Sequence, residues 1–305
     1  MSLLRTEPAT SPFQLPAERG AALAALSALR PRQWTKNLLL FAGLIFAERF
    51  DDAGSWGRAI LIFLAYCALS SSAYLVNDVR DADHDRRHPT KRFRPIARGE
   101  LSPASALAGA ALLFGGALAV AAALGTGSIL FLLGFAALQA CYSLGLKRIV
   151  GLDVITIAGL FVLRASAGAA AIAVRISPWL LICTALLALF LALSKRRSEL
   201  VLVANKLTPG RPVLSGYSLA VLKPLAMLSA VSAAAVYAVY AFTGPDAPAM
   251  GLTVPFVWLG VGRYLYLVER RDLGEEPEHV LFSDRLILGC VACFALAAMV
   301  VLTQA

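Results

Sequence analysis

Nine long apolar stretches, separated by polar breaks, restrict what this chain can fold into more than any other feature. Crossing the hydrocarbon core of a bilayer takes about 20 apolar residues in a helix. In lipid, only helices and closed barrels satisfy every backbone polar group. The stretches lie at about 37–50, 57–78, 103–123, 127–146, 152–173, 178–194, 220–242, 250–268 and 281–303, the first being the shortest. They predict an all-α, polytopic membrane protein, a single bundle of nine transmembrane helices with a polar pocket facing the cytoplasm. Only 15% of the residues are charged and 59% are hydrophobic. Soluble domains carry roughly 25% charge, so a water-soluble core is excluded. The spans are rich in Ala, Leu and Gly, which lets helices approach closely and favours one bundle over two domains.

Charge sets the expected orientation. With the N-terminus inside, segments 1–36, 79–102, 147–151, 195–219 and 269–280 and the adjoining helix ends hold nearly all of the 28 Lys and Arg. The opposite side keeps Arg49, Arg58 and Arg175. The positive-inside rule therefore predicts a cytoplasmic N-terminus and site, and an outside C-terminus, in the bacterial inner membrane. The net charge of +9 follows from this topology plus an anionic ligand. Nucleic acid is a poor reading, because the basic residues are spread over membrane loops with no binding module. Residues 1–20 read as a disordered tail with no cleavable signal, and 21–305 as the membrane domain, with residues 18–30 an interfacial helix. The five cysteines, Cys67, Cys141, Cys183, Cys290 and Cys293, all lie in apolar segments. Without a second ligand pair, Cys290-x-x-Cys293 reads as two small buried hydrophobes rather than a metal or redox site.

Chemistry concentrates after the second span. Asn77, Asp78, Asp81 and Asp85 fall within nine residues. On a continuous helix Asn77, Asp81 and Asp85 share one face, with Asp78 beside it. Acids at a helix C-terminus oppose its dipole and repel one another unless a cation joins them. Hard oxygen donors in an open cluster suit Mg2+, which takes one or two carboxylates and completes its shell with water and phosphate. A solvated acidic helix end is the plainer alternative. Six Lys or Arg follow between Arg86 and Arg98, among them Lys91 and Arg94 in a proline-bounded loop. They suit either a diphosphate or anionic lipid.

Other polar groups at membrane depth have competing roles. Lys36 and Asn37 follow Trp34 at the entrance of the first span and read either as site residues or as snorkelling groups. Tyr142 and Lys147 end the fourth span. Arg164 sits mid-membrane, where an isolated charge costs at least ~2.5 kcal/mol, so it must meet a buried carboxylate or belong to the site. Lys195, Arg196 and Glu199 close the sixth span, as phosphate ligands, a stop-transfer cluster, or a Lys195–Glu199 helical pair. His84, His88 and His279 have no metal spacing.

The run Asn77-Asp78-x-x-Asp81-x-x-x-Asp85, placed after the second of nine spans, resembles the first aspartate-rich motif of the UbiA superfamily of intramembrane prenyltransferases. Typical aromatic prenyltransferases of that superfamily carry a second acidic motif after the sixth span; here the region reads Lys195-Arg196-Arg197-Ser198-Glu199. That segment, together with Arg30-Pro31-x-x-Trp34-x-Lys36-Asn37, His88-Pro89-Thr90-Lys91-Arg92-Phe93-Arg94-Pro95, Glu276-Pro277-Glu278 and Asp284-Arg285, is similar to the decaprenyl-phosphate phosphoribosyltransferase branch.

The resemblance implies Mg2+-dependent transfer of 5-phosphoribose from phosphoribosyl diphosphate to a polyprenyl phosphate, for an arabinose precursor of cell-envelope polymers. It implies Mg2+ on Asn77, Asp78, Asp81 and Asp85, with Asp78, Asp81, Asp85, Lys195 and Arg196 in the chemistry. Lys36, Asn37, Lys91, Arg94, Tyr142, Lys147, Arg164 and Glu199 become substrate-binding candidates. Three phosphate-bearing groups meeting in one pocket call for added cations more than for a second acidic motif. An aromatic prenyltransferase and a lipid-phosphate carrier without chemistry are the alternatives. An oligomer is compatible with the sequence.

Overall fold

The structure is a computed structural model that describes residues 20–47, 49, 51–88, 90–205, 211–244, 249–275 and 277–304. Residues 1–19 of the expected tail lie outside these residues. The described residues form helices joined by turns. α1 (Ala21–Leu29) leads into a 3-10 segment (Pro31–Phe41) and α2 (Ala42–Phe46); α3 (Ala53–Arg80) is followed by the short α4 (Ala82–Arg86) and α5 (Pro95–Arg98). Then come α6 (Pro103–Leu124), α7 (Thr126–Leu144), α8 (Leu152–Ala171), α9 (Pro178–Ala204), α10 (Leu219–Thr243), α11 (Val254–Arg271), α12 (Pro277–Ser283) and α13 (Arg285–Gln304).

Local sequence fixes several of these starts. Asp52 caps α3, accepting from Gly54 N at 2.9 Å and Ser55 Oγ at 2.7 Å. Ser102 caps α6 ahead of Pro103, accepting from Ser105 N at 3.0 Å. Ser177 precedes Pro178 in the same way at α9. A Ser or Asp cap with proline at the first helical position satisfies orphan N–H groups and presets the helical φ. Gly125, at φ 122°, makes the tight reversal between α6 and α7.

Among the described residues, seven helices are long and apolar enough to span a membrane: α3, α6, α7, α8, α9, α10 and, with its leading 3-10 turn, α11. The last expected span is the shorter apolar helix over Arg285–Val301. The expected first span, 37–50, is not one helix. It is the 3-10 segment and α2, together 16 residues, and it crosses α8 at backbone contact. A Cβ on Gly168 would stand 2.0 Å from Leu40 O, and one on Gly43 would stand 2.9 Å from Ala169 Cα. Gly168→Ala is therefore expected to lower the thermal midpoint in detergent sharply, overpacking costing ~1–3 kcal/mol or more. Gly116→Ala, where nothing lies within 4 Å, should leave the midpoint unchanged.

Two apolar clusters organise the bundle. One joins α3, α6, α7 and α8 through Ile62, Tyr66, Ala117, Leu132, Phe135 and Leu160. The other joins α8, α9, α10 and α11 through Val154, Phe190, Leu193, Leu222, Ala226 and Tyr264. α8 contributes to both, so polar side chains of α7, α8 and α9 can meet between them. At the opposite ends of the helices Arg58 binds terminal carbonyls of α8 and α6, Ala171 O at 2.5 Å and Leu124 O at 2.6 Å. A cation there satisfies orphan carbonyls and complements the dipole. Cys67 and Cys290 are buried as expected; Cys141 and Cys293 are exposed on apolar helices, facing outward from the bundle instead.

Candidate functional site

The acidic run does not form one helical column. α3 ends at Arg80; Asp81 is its cap, with φ −95° and ψ 3°, and α4 begins one residue later. The result divides the four residues in pairs. Asp78 and Asp85, 3% and 1% exposed, turn to the same side. Arg94 Nη1 bridges them, at 3.1 Å from Asp78 Oδ1 and 2.6 Å from Asp85 Oδ2. Arg30 Nη2 also reaches Asp78 Oδ1, at 2.5 Å. The break at Asp81 redirects the chain and brings this pair onto one guanidinium in place of the four-apart set. Asn77 points instead to Ser143 on α7, its Nδ2 3.5 Å from Oγ, and Asp81 acts electrostatically on Lys147.

These positions divide the candidate cations as well. One hollow of about 410 Å³ lies between α1, α3 and the loop before α5, lined by Arg30, Asp78, Lys91 and Arg94 among others. His88 fixes that loop: its Nδ1 lies 3.3 Å from the backbone N–H groups of Thr90 and Lys91. Burial and the adjacent Lys91 hold its pKa below the usual histidine range. Pro89 is outside the described residues.

A larger cavity, about 540 Å³, lies between the two apolar clusters. Its wall carries Lys36, Tyr74, Gln139, Tyr142, Arg164, Lys195, Arg196 and Arg211, over a floor of Leu39, Leu160 and Leu191. Among the described residues, five of its lining residues are Lys or Arg and none is Asp or Glu. Lys36, Tyr142, Arg164, Lys195 and Arg196 were candidates from sequence; Tyr74, Gln139 and Arg211 were not. Lys147 and Glu199 stand beside this wall rather than in it. Burial draws the Lys147 pKa below the ordinary lysine range, with Asp81 opposing the shift.

Arg196 is only 1% exposed and is held between two carboxylates, Nε at 2.6 Å from Asp153 Oδ2 and Nη1 against Glu199. Glu199 also takes Arg211 at 3.4 Å. Glu199 thus pairs with Arg196, three apart on the helix. Asp153, fully buried, receives a second hydrogen bond from Tyr217 Oη at 2.5 Å, and Tyr217 Oη accepts from Gly151 N at 2.8 Å. Burial, with the Asp153 hydrogen bond, pushes the Tyr217 pKa up to about 12. Sequence reading passed over Asp153 as a site member; its only signal is a carboxylate at the start of an apolar span. Arg197, next in the chain, serves a different purpose: it binds Val268 O at 2.7 Å and Asp272 Oδ1 at 2.9 Å at the end of α11.

Among the described residues, Arg164 meets no carboxylate. Its Nε donates to Asn37 Oδ1 at 2.9 Å, Nη1 reaches Leu160 O at 3.3 Å, and its guanidinium lies 4.6 Å and 5.2 Å from the Phe135 and Phe161 ring centroids. An amide and two ring faces stabilise the charge where no anion is fixed. Asn37, fully buried, is thereby a support for Arg164 and gives its Nδ2 to Cys67 Sγ at 3.3 Å. Arg30 was also missed. It adopts a left-handed conformation, φ 54° and ψ 61°, rare for arginine, and its guanidinium lies 4.7 Å from the centroid of the Tyr74 ring, at the end that binds Asp78. Asp284 binds Arg263 at 2.9 Å and caps α13 through Leu286 N and Ile287 N, both at 3.1 Å. Glu276 lies outside the described residues.

Among the described residues no three Asp, Glu, His or Cys side chains close around a common point. The donor chemistry nevertheless suits Mg2+, which asks for few protein oxygens and keeps its waters. Asp85 Oδ1 is a buried carboxylate oxygen with no hydrogen-bond partner, the kind of atom that a hard cation satisfies.

Residues 37–284 match the UbiA prenyltransferase family. The decaprenyl-phosphate phosphoribosyltransferase of Mycolicibacterium smegmatis is 33% identical over 86% of this chain and 87% of its own length. The protein of that name from Corynebacterium glutamicum is 33% identical over 90% of this chain and 86% of its own. In fold, a UbiA homologue from Archaeoglobus fulgidus bound to DMAPP and Mg2+ superposes with a TM-score of 0.70 at 21% identity, over 92% of this chain and all of that one. With a family match spanning most of its length and relatives a third identical over nearly all of theirs, the chain belongs to the UbiA prenyltransferase family and is a multi-pass membrane transferase.

Proposed function

We propose that this protein transfers 5-phosphoribose from phosphoribosyl diphosphate to a polyprenyl phosphate and releases diphosphate. One observation carries the reading: among the described residues, the central cavity is lined by five cations and no carboxylate, where a prenyl-diphosphate clamp built on a second acidic motif would present acids. The two relatives' names describe the same reaction class.

Asn77, Asp78, Asp81 and Asp85 are the residues that would hold Mg2+. When bound, the ion supplies Lewis-acid neutralisation of the departing diphosphate. The chain's own groups do the rest. Lys195, Arg196 and Lys36 bind phosphate oxygens; Arg196 serves as a rigid fork because Asp153 and Glu199 fix it, which favours bidentate contact. Arg164, braced by Asn37, keeps positive charge at the depth where the lipid phosphate enters. Tyr142 and Lys147 bind at the rim, and Lys91 and Arg94 serve the flank that holds Asp78. The C1–O bond to diphosphate breaks as an oxygen of the lipid phosphate forms the new bond to C1. The acceptor is already anionic, so no general base is needed. Preorganised cations aimed at the developing charge are the main source of rate. The distribution of Lys and Arg supports a cytoplasmic N-terminus and cavity, an outside C-terminus, and nine crossings in an inner membrane, with the 3-10 segment and α2 as the first. The product fits an arabinose-precursor role in envelope synthesis.

The test is a purified-protein assay with labelled phosphoribosyl diphosphate, decaprenyl phosphate and Mg2+. Labelled lipid is the expected product, abolished by EDTA. No labelled lipid, together with prenylation of an aromatic acceptor from a prenyl diphosphate, would overturn the reading.

A further inference from the structure

The central cavity does not end at its apolar floor. Leu39, Leu191 and Leu281 line both it and a second, almost wholly apolar cavity of about 400 Å³. That cavity runs on to Phe46, Leu180, Cys183 and Tyr237, and the same four residues line a third cavity of about 520 Å³. The third lies at the far ends of α9 and α10, where Arg175, Ser177 and Thr243 bring in polar atoms. From Lys195 to Leu180 the path follows α9 for about 22 Å, at 1.5 Å rise per residue. That is most of the roughly 30 Å hydrocarbon thickness.

Phe46 and Tyr237 are the large side chains in the wall between the second and third cavities, and both are braced. Tyr237 is buried, its hydroxyl 2.5 Å from Thr253 Oγ1, which donates in turn to Met250 O at 2.5 Å. Its ring meets Phe294 at 5.9 Å. Phe46 packs edge-on to Tyr240 at 6.2 Å, and Tyr240 lies 6.1 Å from Tyr237. Rings supported from α2, α10 and α13 move less readily than the aliphatic walls on either side.

We infer that Phe46 and Tyr237 form a partition that limits how much of the acceptor's isoprenoid tail the protein encloses, and so set its chain-length preference. The inference rests on the acceptor being a polyprenyl phosphate. Its tail is the occupant that fits, because the apolar cavity adjoins the cationic cavity holding the phosphate across the mobile aliphatic side chains of Leu39, Leu191 and Leu281. Lipid is as apolar as the tract, so enclosure does not gain from removing the tail from water. Discrimination comes from packing within the tract and from exclusion at its end. Carbons beyond the partition turn out into lipid and contribute nothing further.

The experiment measures kcat/KM for farnesyl, geranylgeranyl and decaprenyl phosphate with wild type, Phe46→Ala and Phe46→Trp. Phe46→Ala joins the two cavities and should raise the decaprenyl-to-farnesyl ratio about tenfold, equivalent to 1.4 kcal/mol. Phe46→Trp enlarges the wall and should lower the ratio. Ratios within twofold of wild type in both variants would overturn the partition, while farnesyl phosphate turnover reports that the catalytic end is intact. A parallel arm displaces a photoreactive farnesyl phosphate with the longer phosphates in detergent and reads the same ratio as binding. If wild type transfers phosphoribose to none of the three lipids, the proposed reaction fails, and this binding arm alone decides the partition.

Discussion

Asp81→Asn is expected to lower transfer about a hundredfold or more while leaving a folded protein, the scale lost when one preorganised electrostatic group is removed. Asp81 is half-buried at the cap between α3 and α4, and the charge it acts on is Lys147, itself beside the cavity. Substitutions away from core and ion-pair networks usually shift stability by about 0.5 kcal/mol or less. Asp78→Asn and Asp85→Asn should behave differently. Each removes a carboxylate from the Arg30–Asp78–Arg94–Asp85 chain, so loss of activity should come with a lower thermal midpoint. The check is single-turnover transfer and thermal unfolding in detergent for all three variants. A fully active Asp81→Asn enzyme would remove it from the site.

The second large effect is on Arg196. Arg196→Met leaves Asp153, fully buried, and Glu199 without their shared cation. Breaking a buried pair by removing one partner costs roughly 3–5 kcal/mol, because the remaining charge is uncompensated. The variant should lose both transfer and yield of folded protein. Pairing it with Asp153→Asn separates the two roles. With Arg196 retained but no longer held by a charge at Nε, folded yield should recover in part while KM for phosphoribosyl diphosphate rises. If Arg196→Met folds and turns over normally, neither the structural nor the phosphate-binding role of Arg196 stands.

Much of the architecture was legible in the chain. Helical spans, polar breaks and proline-led helix starts follow from length, hydropathy and local capping, all of which are properties of neighbouring residues. The acidic run was legible as chemistry but not as geometry. A continuous helix would stack Asn77, Asp81 and Asp85; the break at Asp81 instead joins Asp78 to Asp85 and turns Asn77 and Asp81 toward α7 and Lys147. Nothing between Arg80 and Ala82 announces that break, since no proline or glycine stands there. The form of the expected first span was not legible either: its 3-10 segment packs Leu40 against Gly168, a residue 128 positions away.

Composition and spacing by themselves determined that the chain is helical, lies in a membrane, and groups acids and cations in a pattern that suits phosphate. Periodicity carries that much, because burial in lipid acts on every residue of a span alike. Which cations share a cavity was decided only in three dimensions. Lys195, Arg196 and Arg197 are consecutive, yet two face the cavity and one caps α11. Lys91 and Arg94 stand with Arg30 on another side of the same acidic run. Asp153, Asn37 and Tyr217 acquire their roles only through partners brought by other helices, because a buried charge is fixed by whichever groups the packing places within hydrogen-bond reach.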